Sequence, residues 1–275
     1  MSVEDAKTDD RAARAPFYAA LRRALARCGV SFDGFCPASD SVSRRVLEEY
    51  GAMFVAEGVM LPPVCVFESE SEVESFQREA GWLSEDLGGV IVELQPAAMK
   101  ALLSAREEAR AVGLDITPRG GIEAGRRRFD DSLRLWRSRC DPALDHWCAQ
   151  GRLSTEEAVR VGHLSLRDQV AAVLELERDG LFFSKDLKKS ILQSVAAPGA
   201  SQHLAMLAFD ASEFEDARVR SVLSRHGWFQ TVLSDLPHFT YLGLSERELP
   251  ARGLRRVESG GQRFWIPDTA VTGDG

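Results

Sequence analysis

The chain of 275 residues reads as an α+β protein. Three observations predict this class. Helical periodicity recurs along the chain, the stretches with strand character are short and unevenly spaced, and no regular strand-helix alternation marks a doubly wound parallel sheet. The length suffices for a substantial core without disulfide help.

Between Pro16 and Cys28, Phe17, Leu21, Ala24 and Leu25 recur at helical spacing, leaving Arg22, Arg23 and Arg27 for the wet side. After a turn-rich stretch from Gly29 to Asp40, Ser41 or Ser43 can cap a second helix through Val46, Leu47, Tyr50 and Phe54, ending near Gly58. Pro62 and Pro63 punctuate the chain. Val64–Phe67, short and apolar, predicts a strand, and Ser69–Ala80 an acidic helix with Val73 and Phe76 inward. Gly89–Leu94 predicts the next strand. Pro96 suits the first turn of a helix to about Val112, which Gly113 closes.

Leu114–Pro118 is expected to be extended, since the residue before a proline avoids helical angles, and Arg119-Gly120-Gly121 to form a loop. A long amphipathic helix starts at Arg127, carries Phe129, Leu133 and Trp136, and is expected to end before Pro142. Asp145–Trp147 and Glu156–Val161 continue in helix. Trp136, Trp147 and Trp228 are expected core anchors. Thr269–Gly275 looks like a frayed tail, and no internal repeat is visible.

Acidic residues outnumber basic ones, 42 to 34, for a formal net charge of -8. That balance argues against nucleic acid or an anionic membrane as a main partner. Cys28, Cys36, Cys65, Cys140 and Cys148 show no Cys-x-x-Cys spacing and, being five, cannot all pair within the chain, so reduced and mostly buried thiols are expected. Met1–Arg14 is polar and charged, unlike a signal peptide, and no apolar run is long enough to span a membrane. The expected location is cytoplasmic, or periplasmic or cell-wall if the start site is misassigned.

The segment richest in chemistry runs from Pro198 to Gly243. His203, Asp210 and His238 are enough to hold a zinc ion with a fourth position open for water. Seven residues apart, His203 and Asp210 would face opposite ways on a straight strand and stand roughly 10 Å apart along a helix axis. The histidine is therefore expected on a loop or bend, for which Pro198-Gly199 prepares the chain. Leu204–Phe209 then leads into a strand that delivers Asp210. A helix at Ala217–Leu223 precedes a return strand in which Phe239 and Tyr241 alternate with Thr240 and Leu242. His226 is expected to serve the end of its own helix, while His146 and His163 lack companions at regular ligand spacing.

Ser201-Gln202-His203, Ala208-Phe209-Asp210 and Asp235-Leu236-Pro237-His238-Phe239, followed by Tyr241 and Gly243, together resemble the zinc D-alanyl-D-alanine carboxypeptidases and dipeptidases. That family trims bacterial cell-wall peptides, includes vancomycin-resistance enzymes and some phage endolysins, and shares its fold with hedgehog signalling domains. Its pattern is Ser-x-His, four residues, Ala-x-Asp, then Glu-x-x-His and an aromatic strand ending in Gly. The resemblance implies an α+β fold with a small antiparallel sheet flanked by helices, that His203, Asp210 and His238 bind zinc, and that Asp235, in place of the family's glutamate, is general base and then acid. Aspartate is one methylene shorter than glutamate. Met206 stands where the family usually has glycine, and Pro237 where tryptophan is common.

The family also holds the substrate carboxylate with an arginine, a role that Arg119 or Arg127 can fill through a planar fork of donors. Ser201, before the first ligand, is placed to contact substrate backbone. The implied activity is hydrolysis of a D-Ala-D-Ala-type bond in a stem peptide, dipeptide or precursor. The alternatives are a non-hydrolytic zinc-binding recognition module and an endolysin-like endopeptidase. The motif core spans residues 116–243 of an expected peptidase domain, 61–275, behind an N-terminal helical segment, 1–60.

Overall fold

The computed structural model describes residues 15–27, 29–36 and 40–270. Met1–Arg14, Cys28 and residues 271–275 of the C-terminal tail lie outside them. The fold is mixed α+β, dominated by helices, with three small antiparallel sheets.

Helix α1 (Pro16–Arg27) buries Phe17, Leu21, Ala24 and Leu25, the stripe its periodicity marks. A short helix, α2 (Phe32–Phe35), lies in the stretch expected to be only turns. Helix α3 (Ser41–Tyr50) is capped by neither expected serine. Asp40 accepts from the Val42 N–H, and the Ser43 hydroxyl, inside the first turn, donates to the same carboxylate. A carboxylate one residue earlier meets the exposed N–H groups better than a hydroxyl already within the helix. The chain tightens into a 3₁₀ turn at Gly51–Val55.

Val64–Phe67 forms no strand. Cys65 and Phe67 are buried, as their apolarity demands, but the segment finds no partner for a ladder. It makes isolated backbone bonds instead, Cys65 N–H to Phe35 O at 3.4 Å and Phe67 N–H to Gly199 O at 3.0 Å. The second contact explains Gly199, whose φ is 81° and whose place for a Cβ lies 1.9 Å from the Phe67 carbonyl oxygen.

Helix α4 (Glu70–Ala80) is capped by Ser69 and buries Val73 and Phe76. Strands β1 (Leu83–Asp86) and β2 (Ile91–Leu94) form a hairpin in which Leu83 faces Leu94. Sequence reasoning misses β1 because its residues are largely polar and half exposed. Helix α5 (Pro96–Ala111) begins on its proline as expected. Helix α6 (Phe129–Ala149) runs straight past Pro142. The Ser138 carbonyl that the proline deprives of a partner accepts from Arg139 Nη1 at 3.4 Å on the exposed side, so the helix need not end there. Helices α7 (Thr155–Gly162) and α8 (Leu166–Arg178) follow, each with a serine N-cap.

The central sheet has the order β3 (Ala208–Asp210), β5 (His238–Tyr241), β4 (Trp228–Phe229), and helix α9 (Ala217–Arg225) links β3 to β4. A Gly260-Gly261 turn joins the last hairpin, β6 (Leu254–Ser259) with β7 (Gln262–Pro267).

Two apolar cores result. The first joins α1, α4, α5 and the central sheet, with Phe209, Trp228 and Phe239 at its heart. The second joins α3, α6, α7 and α8 with Leu192, Ala200 and Val232, around Trp136. Each of these large side chains contributes on the order of 2–3 kcal/mol by leaving water. Trp147 is only half-buried. No helix among the described residues is long and apolar enough to cross a membrane.

Candidate metal centre

Asp210 and His238 are direct cross-strand partners in the β3/β5 ladder, so their side chains leave the sheet together. His203 reaches them from a 3₁₀ turn, Gln202–Ala205, that closes on Met206 in the left-handed conformation (φ 56°, ψ 33°). This is the bend that the seven-residue spacing requires. His203 and His238 are almost completely buried, and Asp210 is 9 % exposed.

The three facing atoms form a near-equilateral triangle. His203 Nε2 lies 3.2 Å from His238 Nδ1 and 3.4 Å from Asp210 Oδ1, and His238 Nδ1 lies 3.3 Å from the same oxygen. Zinc bonds of about 2.0–2.1 Å at tetrahedral angles require donors about 3.3 Å apart. This is the group of His, Cys, Asp and Glu side chains found close enough to share an ion among the described residues.

The surrounding hydrogen bonds determine which atoms carry protons. His203 Nδ1 lies 2.6 Å from the Gly125 carbonyl, which only accepts, so Nδ1 bears the hydrogen and Nε2 its lone pair. Gln202 Nε2 donates to the Tyr50 carbonyl at 2.8 Å, which orients the amide and leaves Oε1 as acceptor for Thr240 Oγ1 and for His238 Nε2, at 2.8 Å from the histidine. His238 Nδ1 is thereby the lone-pair atom. Thr231 Oγ1, 2.6 Å from Thr240 Oγ1, closes the network. Gly125 can place its carbonyl there because a Cβ would stand 2.9 Å from the Glu93 carbonyl oxygen.

Asp210 Oδ2 accepts from Arg127 Nη2 at 2.7 Å, whereas Oδ1 is buried without a hydrogen-bond partner. Burial pulls the Asp210 pKa upward, but the facing histidines outweigh it and hold the carboxyl well below the usual range. Burial, reinforced by the Arg127 charge, lowers His203 to about 4. At neutral pH Asp210 is therefore ionised and His203 neutral. Three lone-pair atoms turned on one another are mutually repulsive, and a shared cation relieves that repulsion. The donor set fits a divalent metal.

The centre opens on a cavity of about 200 Å³ that includes Arg127, Ser201, His203, His238 and Asp235 in its lining. Asp235 sits on an exposed turn at the mouth, yet protein crowds its carboxyl. That burial, assisted by the Asp210 charge, raises its pKa against the opposing pull of His238, Arg127 and Arg119. Arg127 Nε donates to the Glu123 carbonyl at 2.9 Å. Arg119 is not among the lining residues. Its N–H donates to the Asp210 carbonyl at 2.8 Å while its exposed guanidinium lies over Phe214, 5.1 Å from the ring centroid.

His226 is the C-cap of α9, its N–H donating to the Leu223 carbonyl at 3.0 Å as expected of the helix end, while its Nε2 lies 2.7 Å from Glu108 Oε2. His163 Nδ1 bonds the Val159 carbonyl. Sequence reasoning does not find Gln202, Gly125, Thr231 or Thr240, although Gln202 adjoins His203 and Thr240 lies two residues beyond His238. Cys36, Cys65 and Cys140 are buried free thiols, and Cys148 is half-exposed. No protein-family model matches the chain, and no curated protein matches it.

Proposed function

We propose that the chain is a zinc-dependent metallopeptidase hydrolysing a D-Ala-D-Ala-type bond of a bacterial cell-wall peptide or precursor. The observation that carries this reading is the triangle of unprotonated donors on His203, Asp210 and His238, opening on a cavity that also contains the Asp235 carboxyl. Ligand order and motif spacing supply the family, with its hedgehog-type peptidase fold. Met206 adds support, because its left-handed backbone occupies the position where that family usually has glycine.

Zinc bound to the three donors would supply Lewis acidity, polarising the scissile carbonyl and making water more acidic. Asp235 accepts a proton from the attacking water on its carboxylate and returns it to the leaving amine nitrogen. Its raised pKa suits the second half of that exchange. Arg127 neutralises Asp210 Oδ2, which leaves Oδ1 for the metal, and lines the cavity where a substrate carboxylate would lie. Arg127 is therefore favoured over Arg119 for the carboxylate, and Ser201 borders the same space.

One observation favours a second reading, a non-hydrolytic zinc module for peptide recognition. Asp235 is a shorter acid than the family's glutamate and stands on an exposed turn. Zinc-loaded protein is to be incubated with a D-Ala-D-Ala-terminated stem peptide. The expected result is release of free D-Ala, abolished by chelator and restored by zinc. Asp235→Ala is expected to retain zinc and to lose turnover by about 10²–10⁴-fold. Bound zinc with no peptide cleavage overturns the enzyme reading in favour of the module, and product masses other than loss of the terminal residue point to an endopeptidase.

A further inference from the structure

The lining of the cavity includes a cation that the chemistry above does not use. Arg139, on α6, lines the same cavity as His203 and His238. It is half-buried, and its guanidinium bonds only neutral groups: Nε donates to Ser194 Oγ at 3.0 Å, and Nη1 to Ser138 Oγ at 2.9 Å and to the Ser138 carbonyl at 3.4 Å. Arg139 forms no ion pair with any carboxylate among the described residues, in a chain whose acidic residues outnumber its basic ones. Arg127, by contrast, has its charge matched by Asp210.

Beside Arg139 the wall alternates small hydroxyls, Ser132 and Ser194, with apolar Leu135, Leu192 and Val195. A positive fork with unused donors, set among hydroxyls at the edge of an apolar cleft, is chemistry suited to a carboxylate on a compact, otherwise apolar ligand. The geometry points to Arg139 as a second anion subsite, which selects peptides bearing a carboxylate on the acyl side of the scissile bond, separate from the terminal carboxylate. This inference rests on the peptidase reading for the orientation of the substrate. Arg127, paired with the metal donor Asp210, serves the leaving end, so Arg139, whose bonds go to Ser194 and Ser138 and to none of the donors, falls to the acyl end.

Two isosteric peptides differing by one charge provide the test. Acetyl-Glu-D-Ala-D-Ala and acetyl-Gln-D-Ala-D-Ala are titrated calorimetrically into the zinc-loaded full chain and into its Arg139→Met variant, and their hydrolysis is followed separately. The glutamate peptide is expected to bind wild type about tenfold more tightly, and the ratio of dissociation constants to fall to about one in the variant, with zinc content unchanged. A merely structural arginine would weaken both peptides alike and leave the ratio in place. Equal binding of the two peptides by wild type, or a ratio that survives Arg139→Met, overturns the subsite whether or not the peptides are cleaved. A ratio that behaves as expected without hydrolysis supports the subsite and counts against the peptidase reading alone.

Discussion

The two walls of the cavity are built on opposite plans. On the metal-donor wall, seated on the first core, each polar side chain is held by partners distant in the chain: His203 by Gly125, His238 by Gln202, Gln202 by Tyr50, and Asp210 by Arg127. On the side seated on the second core, Arg139 and Ser194 bond one another and neither side chain bonds a metal donor; Tyr50 links the two sides, its carbonyl accepting from Gln202 and its hydroxyl donating to the Leu192 carbonyl. The difference separates chemistry from selection. A metal centre needs donors held within a few tenths of an ångström, whereas a surface that sorts ligands needs charge and shape, which one half-exposed side chain can supply.

Breaking the donor wall at a ligand is expected to have the largest effect. His203→Ala removes one of three protein donors and should weaken zinc binding on the order of a thousandfold or more, read by metal analysis after dialysis. Undiminished zinc in that variant would refute the ligand assignment.

Acid should stress the same wall next. His203 binds its proton less readily when folded, titrating at about 4 rather than 6.5, so the unfolded chain takes up more protons in that interval, and the depressed Asp210 extends the loss to still lower pH, below its ordinary value of 3.8. Stability of the metal-free protein therefore rises with pH across this window and is lost as pH falls from about 6.5 toward 4, by about 3 kcal/mol. Urea midpoints at the two ends of the range measure the loss. His203→Gln should flatten the profile, and an equally steep profile in that variant would assign the dependence to other groups.

Removing the support behind a ligand sharpens the comparison further. Gln202→Ala takes away the acceptor of His238 Nε2 and should weaken zinc about 10–100-fold without abolishing it. Chelator competition provides the measurement, and an unchanged affinity would make the network a matter of folding alone.

The smallest effect is expected across the cleft. Leu135→Ala should leave zinc affinity intact and raise KM severalfold, the scale of lost apolar contact at a partly buried position. If zinc affinity moved as well, the two walls would not be independent.

How far these features were legible in the residues differs from element to element. Helices α1, α4 and α5 follow from apolar periodicity and, in α5, an N-terminal proline, because such signals act within a few turns of chain. Val64–Phe67 shows the limit: apolarity foretold its burial, but a strand also needs a neighbour, and Gly199 offers it a single backbone bond. Pro142 shows the converse, since a half-buried arginine beside the freed carbonyl lets α6 continue. The β6/β7 hairpin carries its turn signal in Gly260-Gly261.

At the site, residue types and spacing alone determined the candidate donors His203, Asp210 and His238, and they required a bend between the first two, because seven residues suit neither a straight strand nor a helix. The cross-strand register of Asp210 with His238, the left-handed turn at Met206 and the proton positions set by Gly125 and Gln202 were decided only by the tertiary structure. So was the placing of the Arg119 guanidinium over Phe214 while Arg139 lines the cavity. The physical reason is range. Periodicity and local sterics are written within a few residues, whereas which lone pairs meet depends on packing between segments far apart in the chain.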